Sequence, residues 1–114
     1  MQFKTHNNKD IDVNSSSLKG YIIYTYSKLV ELFGKPRDCT GGYKTDAEWY
    51  IEWEDGVVST IYNYKTGKNY LGDEGLEVEE IMDWHVGGYN GNSYKYIVNF
   101  LNLGYEDDQF SRSF

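Results

Sequence analysis

The chain has 114 residues, 18% of them aromatic, with 12 Tyr, 3 Trp and a net charge of −7. A chain of this size and aromatic content can bury a core without staples, which excludes an intrinsically disordered polypeptide and points to a single α+β domain over residues 1–114. A lone cysteine, Cys39, excludes an internal disulfide and a cysteine-built zinc site, and no apolar run is long enough for a membrane span.

The N-terminus Met1-Gln2-Phe3-Lys4-Thr5-His6 carries no apolar leader, so the expected compartment is the reducing cytoplasm, that of the host if the protein is viral. Charge is uneven along the chain. Residues 1–45 carry 7 basic and 4 acidic side chains, whereas residues 46–114 carry 4 basic and 14 acidic ones. Direct nucleic-acid binding needs a basic footprint and is disfavoured. An acidic surface serves solubility, or attracts a basic protein partner.

In chain order, Gln2–His6 and Asp10–Val13 read as two short strands around the turn-forming Asn7-Asn8-Lys9-Asp10, with His6 exposed, and Ser15-Ser16-Ser17 reads as a loop. Thr25 is a helix N-cap. Tyr26, Leu29, Val30 and Phe33 then fall on one helical face, Gly34 ends the helix and Pro36 cannot continue it. Cys39 falls in an exposed loop without a neighbouring base to activate it.

Residues 46–65 have the pattern of a hairpin. Ala47, Trp49, Ile51 and Trp53 alternate with Glu48, Tyr50, Glu52 and Glu54, which puts the first set in the core and the carboxylates in solvent. A two-residue Asp55-Gly56 turn pairs Trp53 with Val58, Ile51 with Thr60, Trp49 with Tyr62 and Ala47 with Tyr64.

Residues 66–82 read as a long loop with one helical turn around Val78–Ile81. Met82–Val86 reads as a strand closed by Gly87-Gly88. A last helix starts after Asn92 or Ser93, buries Tyr94, Ile97, Val98 and Leu101, and stops at Gly104, leaving 105–114 as a frayed acidic tail. The expected order is β-β-α-β-β-β-α. The expected architecture is a single antiparallel sheet with two helices packed on one face.

No nucleophilic triad, phosphate-cradling glycine motif or EF-hand spacing is present, so catalytic residues, a metal and a cofactor are all read as none. The segment Thr60 to Tyr70 has the composition of a ligand site. Tyr62, Tyr64 and Tyr70 offer faces for stacking, and Lys65 and Lys68 offer cations to an anion. Trp84 and His85, on the next strand, complete a ligand-binding set of seven residues, because sequential strands are usually neighbours.

The motifs Leu29-Val30-Glu31-Leu32-Phe33-Gly34-Lys35-Pro36, Asp46-Ala47-Glu48-Trp49, Glu54-Asp55-Gly56, Thr60-Ile61-Tyr62-Asn63-Tyr64-Lys65 and Asp83-Trp84-His85-Val86-Gly87-Gly88 together resemble small uncharacterised proteins of tailed bacteriophages, over roughly residues 18–100. The resemblance implies a viral accessory protein and supplies no site residues. The helix-plus-hairpin portion is also similar in architecture to the units of β-lactamase inhibitor proteins, a likeness that carries no function.

Three functions are expected in descending order. The first is a non-catalytic protein that counters a host defence by sequestering a small, anionic, nucleotide-like ligand, in a pocket that a homo-oligomer could complete. The second is an acidic inhibitor that contacts a host defence protein, such as a nuclease or CRISPR effector, directly. The third is an enzyme.

Overall fold

The computed structural model describes residues 2–7, 13, 16–39 and 44–103. It is an α+β fold, an antiparallel sheet with helices packed on it, as the sequence predicts. The strands are β1 (Phe3–Thr5), β2 (Ser17–Ile23), β3 (Arg37–Asp38), β4 (Ala47–Trp53), β5 (Val58–Tyr62) and β6 (Asp83–Gly88). The helices are α1 (Tyr26–Phe33), a single turn α2 (Lys68–Leu71) and α3 (Asn92–Phe100). Sheet order is β1-β4-β5-β6-β2, and β3 lies on the same edge of β4 as β1, opposite Ala47 and Glu48.

Helix α1 follows its local code. Thr25 Oγ1 accepts from Lys28 N at 3.3 Å, and Gly34 leaves the helix at φ +86. Leu29 and Phe33 turn into the core.

The alternation along β4 is complete: Ala47, Trp49, Ile51 and Trp53 are all at or below 2% exposure. The indole N–H groups stay satisfied. Trp49 donates to Gly34 O at 2.7 Å, Trp84 to Tyr24 O at 2.9 Å, and Trp53 to Ser59 Oγ at 2.8 Å. Ser59 Oγ in turn donates to Ser93 O on α3 at 2.6 Å. Both α1 and α3 therefore cover one face of the sheet, and the opposite, more open face carries half-buried Tyr62 and His85 beside exposed Tyr21.

Several expectations are corrected. Ser17–Ile23 is a strand on the sheet edge, where the sequence suggests a loop at Ser17 and offers no alternating pattern. Its side-chain gap at Gly20 is filled from across the chain by the Tyr94 ring, so close that a Cβ at Gly20 would lie 2.5 Å from Tyr94 Cε1. The pair Arg37–Asp38 also forms a short strand, too brief to leave a period. Of the expected Asp10–Val13 strand, 10–12 lie outside the described residues, as do Gly104 and the tail.

The hairpin register is one residue from the expected one. Glu52 pairs with Val58, Ile51 with Ser59, Tyr50 with Thr60, Trp49 with Ile61 and Glu48 with Tyr62. The cause is a three-residue loop, Glu54-Asp55-Gly56. Gly56 N donates to Trp53 O at 2.9 Å, Trp53 N donates to Val57 O at 2.8 Å, and Gly56 takes φ +91. The slip moves Ile61 into the core and Tyr62 to the open face.

The expected 66–82 loop holds more structure than one turn. It contains α2 and two 3-10 turns, Gly72–Glu74 and Val78–Glu80. Gly87 and Gly88 lie inside β6, not after it. Each glycine permits a close approach on its own face. A Cβ on Gly88 would meet Ser93 Oγ at 2.0 Å, and one on Gly87 would meet Thr60 Oγ1 at 2.8 Å.

Candidate functional site

The corrected register builds one row straight across the open face. Arg37 on β3 pairs with Glu48 on β4, Glu48 with Tyr62 on β5, Tyr62 with His85 on β6, and His85 with Tyr21 on β2. Tyr21, Glu48, Tyr62 and His85 project to the side away from α1 and α3, because their strand neighbours Ile22, Ala47, Trp49, Ile61, Trp84 and Val86 fill the core, and Arg37 meets this side through the Tyr50 ring.

Three tyrosine rings surround the imidazole. Tyr21 meets His85 edge-on at 4.9 Å between centroids, Tyr62 meets it at 5.4 Å, and the Tyr64 ring lies tilted against it at 5.4 Å. Lys65 extends the set. Its ammonium lies 5.2 Å from the Tyr64 centroid and 5.2 Å from that of Tyr70, and Lys44 Nζ approaches Tyr64 at 5.8 Å. Lys65 is held there by an unusual backbone, φ +63, and its N–H donates to Lys44 O at 2.7 Å. At the other end of the row, the Arg37 guanidinium stacks 4.0 Å from the Tyr50 centroid and donates to His6 O at 2.7 Å.

Partial burial shapes the protonation of this face. Burial pushes the His85 pKa below its ordinary value, which favours the neutral imidazole, and nearby Asp83 opposes that push. Burial raises the Tyr62 phenol, with Glu48 adding to the effect. Glu48 itself is raised by burial, against the pull of Arg37 and a hydrogen bond with Tyr50. This corrects the expectation that Glu48 sits on a solvated face. Glu52, four residues on, has its pKa lowered by its 2.8 Å hydrogen bond with His6 Nε2. His6 is thereby 7% exposed, not a solvent-facing histidine.

Of the seven residues expected to bind ligand, five meet in this chain of contacts: Tyr62, Tyr64, Lys65, Tyr70 and His85. Two do not. Trp84 is fully buried on the opposite face, against Trp49 at 5.4 Å and Tyr26 at 6.4 Å. Adjacent strand residues point to opposite sides, so Trp84 and His85 cannot serve one face. Lys68 sits on α2 and pairs loosely with Glu77 at 3.5 Å.

Lys68 instead lines a groove of about 540 Å³ beside the sheet. It is lined by Tyr26, Lys35 and Arg37 and by Lys68, Leu76 and Val78. Half-buried Cys39 also borders it, which corrects its assignment to an exposed loop. Tyr21, Lys44, Arg37 and the groove were absent from the expected site, since they lie far from residues 60–70 in sequence and only sheet pairing joins them.

Among the described residues no cluster of His, Cys, Asp and Glu has metal-binding geometry, and no helix is long and apolar enough to cross a membrane. No family model, no curated protein and no solved structure matches the chain.

Proposed function

We propose that the protein is a non-catalytic binding protein whose open sheet face takes a small, anionic, ring-bearing ligand of nucleotide type. The observation that supports this reading is the unbroken contact chain Tyr62–His85–Tyr64–Lys65–Tyr70 on a solvent-facing sheet. Tyr21, Tyr64 and Tyr70 remain 54%, 39% and 36% exposed, leaving ring surface for a base. Stacking on such rings and charge-assisted contacts from Lys65 and Lys44 suit a base joined to a phosphate. In its neutral form His85 offers one ring nitrogen as donor and the other as acceptor, suited to a base edge. In the setting that the phage resemblance implies, sequestering this ligand counters a host defence.

Isothermal titration of cyclic mono- and dinucleotides against wild type, Tyr64→Ala, Lys65→Ala and His85→Ala tests the reading. Saturable binding to wild type that weakens at least about tenfold in each variant supports it. Absence of binding by every nucleotide in the panel removes it.

A second reading, direct inhibition of a host protein, draws on the uniform exposure of Asp73, Glu74, Glu77, Glu79, Glu80 and Asp83. It requires that neutralising these six abolish counter-defence activity while nucleotide binding persists.

A further inference from the structure

The segment from Asn63 to Glu80 is long for a connection within a small domain, and it contributes just two fully buried residues, Asn63 and Gly67. It is nonetheless built as a wall. Fully buried Asn63 accepts from Asp46 N at 2.7 Å and Ala47 N at 3.1 Å, and donates to Asp46 Oδ1 at 2.9 Å. Asp46 Oδ2 accepts from Asn69 N at 3.1 Å, and Asn69 Nδ2 donates to Thr45 O at 2.8 Å.

Glycines tighten the fold. A Cβ on Gly67 would lie 2.1 Å from Asp46 Oδ1, and one on Gly75 would lie 2.4 Å from the Gly67 backbone. Glu77 N donates to Glu80 Oε1 at 3.1 Å and starts the last turn. This polar framework adds little to the hydrophobic core. What it does is bring Lys68, Leu76 and Val78 into one groove with Tyr26, Lys35 and Arg37.

The groove volume, about 540 Å³, falls in the range of small-molecule sites. Three cations line it, against the carboxylates of Asp46 and Glu77. Asp46 is committed to Asn63 and Asn69. Glu77 holds Lys68 by a loose pair of exposed side chains, a kind of contact that contributes little and that a better-placed anion displaces. Tyr26, Leu76 and Val78 supply apolar surface.

We propose that this groove, which borders the tyrosine–histidine face at Arg37, is a second binding site for a small organic anion with one charged head and an apolar body. Lys68 and Lys35 hold the head. Arg37 is already fixed by His6 O and the Tyr50 ring and adds positive potential from a set position. Tyr26, Leu76 and Val78 receive the body.

The test is an amide-resolved NMR titration of the full chain with phenyl phosphate, alongside inorganic phosphate. Phenyl phosphate is expected to shift Asn69, Glu77 and Val78 saturably and to bind more tightly than inorganic phosphate. Lys68→Ala and Lys35→Ala should each weaken it at least about tenfold. Glu77→Gln, which releases Lys68, should tighten it, and Lys65→Ala on the other site should leave it unchanged. The same spectra report whether each variant is folded. Shifts confined to the open face, or groove shifts indifferent to Lys68→Ala and Lys35→Ala, would overturn the proposal. Equal affinity for inorganic phosphate would overturn the apolar half of the ligand.

Discussion

Tyr62 and His85 face each other across β5 and β6 with ring centroids 5.4 Å apart, and they do so because the β4–β5 hairpin turns through three residues rather than two. A two-residue turn would have sent Tyr62 into the core opposite Trp49. The aromatic face is thus a consequence of Gly56 at φ +91.

That turn gives the first prediction. Gly56→Val places a β-branched side chain at positive φ, a conformation that residue type avoids. Destabilisation of about 1–3 kcal/mol is expected in urea unfolding. No loss of stability would mean that the loop tolerates another geometry and that the register is weakly fixed.

The core supplies the second. Trp49 is fully buried between α1 and the sheet and bonded to Gly34 O. Trp49→Ala should cost about 3–5 kcal/mol, a large share of a small domain's stability. A midpoint shift equivalent to less than about 1 kcal/mol would place Trp49 outside the core.

Two glycines near α3 should respond in opposite ways. At Gly88 a Cβ would lie 2.0 Å from Ser93 Oγ and 2.8 Å from Val58 O, so Gly88→Ala must push α3 off the sheet, at about 1–3 kcal/mol. At Gly91 a Cβ meets nothing within 4 Å, and its φ of −62 suits any residue. Gly91→Ala should be neutral, or stabilising by about 0.4–1 kcal/mol through the unfolded chain. Thermal melts of the pair, run side by side, check the ordering.

Stability against pH separates Glu48 from His85. The raised pKa of Glu48 means that the folded state holds its proton more tightly. Its contribution is therefore complete below the ordinary value of 4.5 and is lost as pH rises through the raised folded value. His85 is lowered, so the unfolded chain binds the extra proton. Its contribution is complete above 6.5 and is lost as pH falls from there towards the lower folded value. Melting of Glu48→Gln relative to wild type should improve from pH 4 to pH 7. Melting of His85→Gln relative to wild type should improve as pH falls below 6.5. The reverse slope for either would contradict the environment described for that residue.

Much of the fold is legible in the sequence where local chemistry agrees with tertiary packing. Thr25, Gly34 and the Tyr26–Phe33 spacing specify α1, and the alternation from Ala47 to Trp53 specifies β4. Strand β2 is illegible for a physical reason. Its centre is a glycine, and the ring that completes its core side belongs to Tyr94 on the last helix. The hairpin register was hidden by a choice between two loop lengths that both accept Asp-Gly. For the site, composition around residues 60–70 located the aromatic and cationic parts but not their sides. The Trp84-His85 pair held a readable warning, since neighbours on a strand diverge. Arg37, Lys44 and Tyr21 join the face through pairing of distant segments, which no local pattern encodes.

The most direct test of the binding face is an NMR titration that follows the side-chain resonances of His85 and the tyrosine rings as a cyclic nucleotide is added. Concerted, saturable shifts of His85, Tyr64, Tyr62 and Tyr21 are predicted, abolished in Lys65→Ala and retained in Lys68→Ala. Unmoved His85 and Tyr64 resonances while the nucleotide binds elsewhere, or no saturable shift from any cyclic nucleotide, would contradict it.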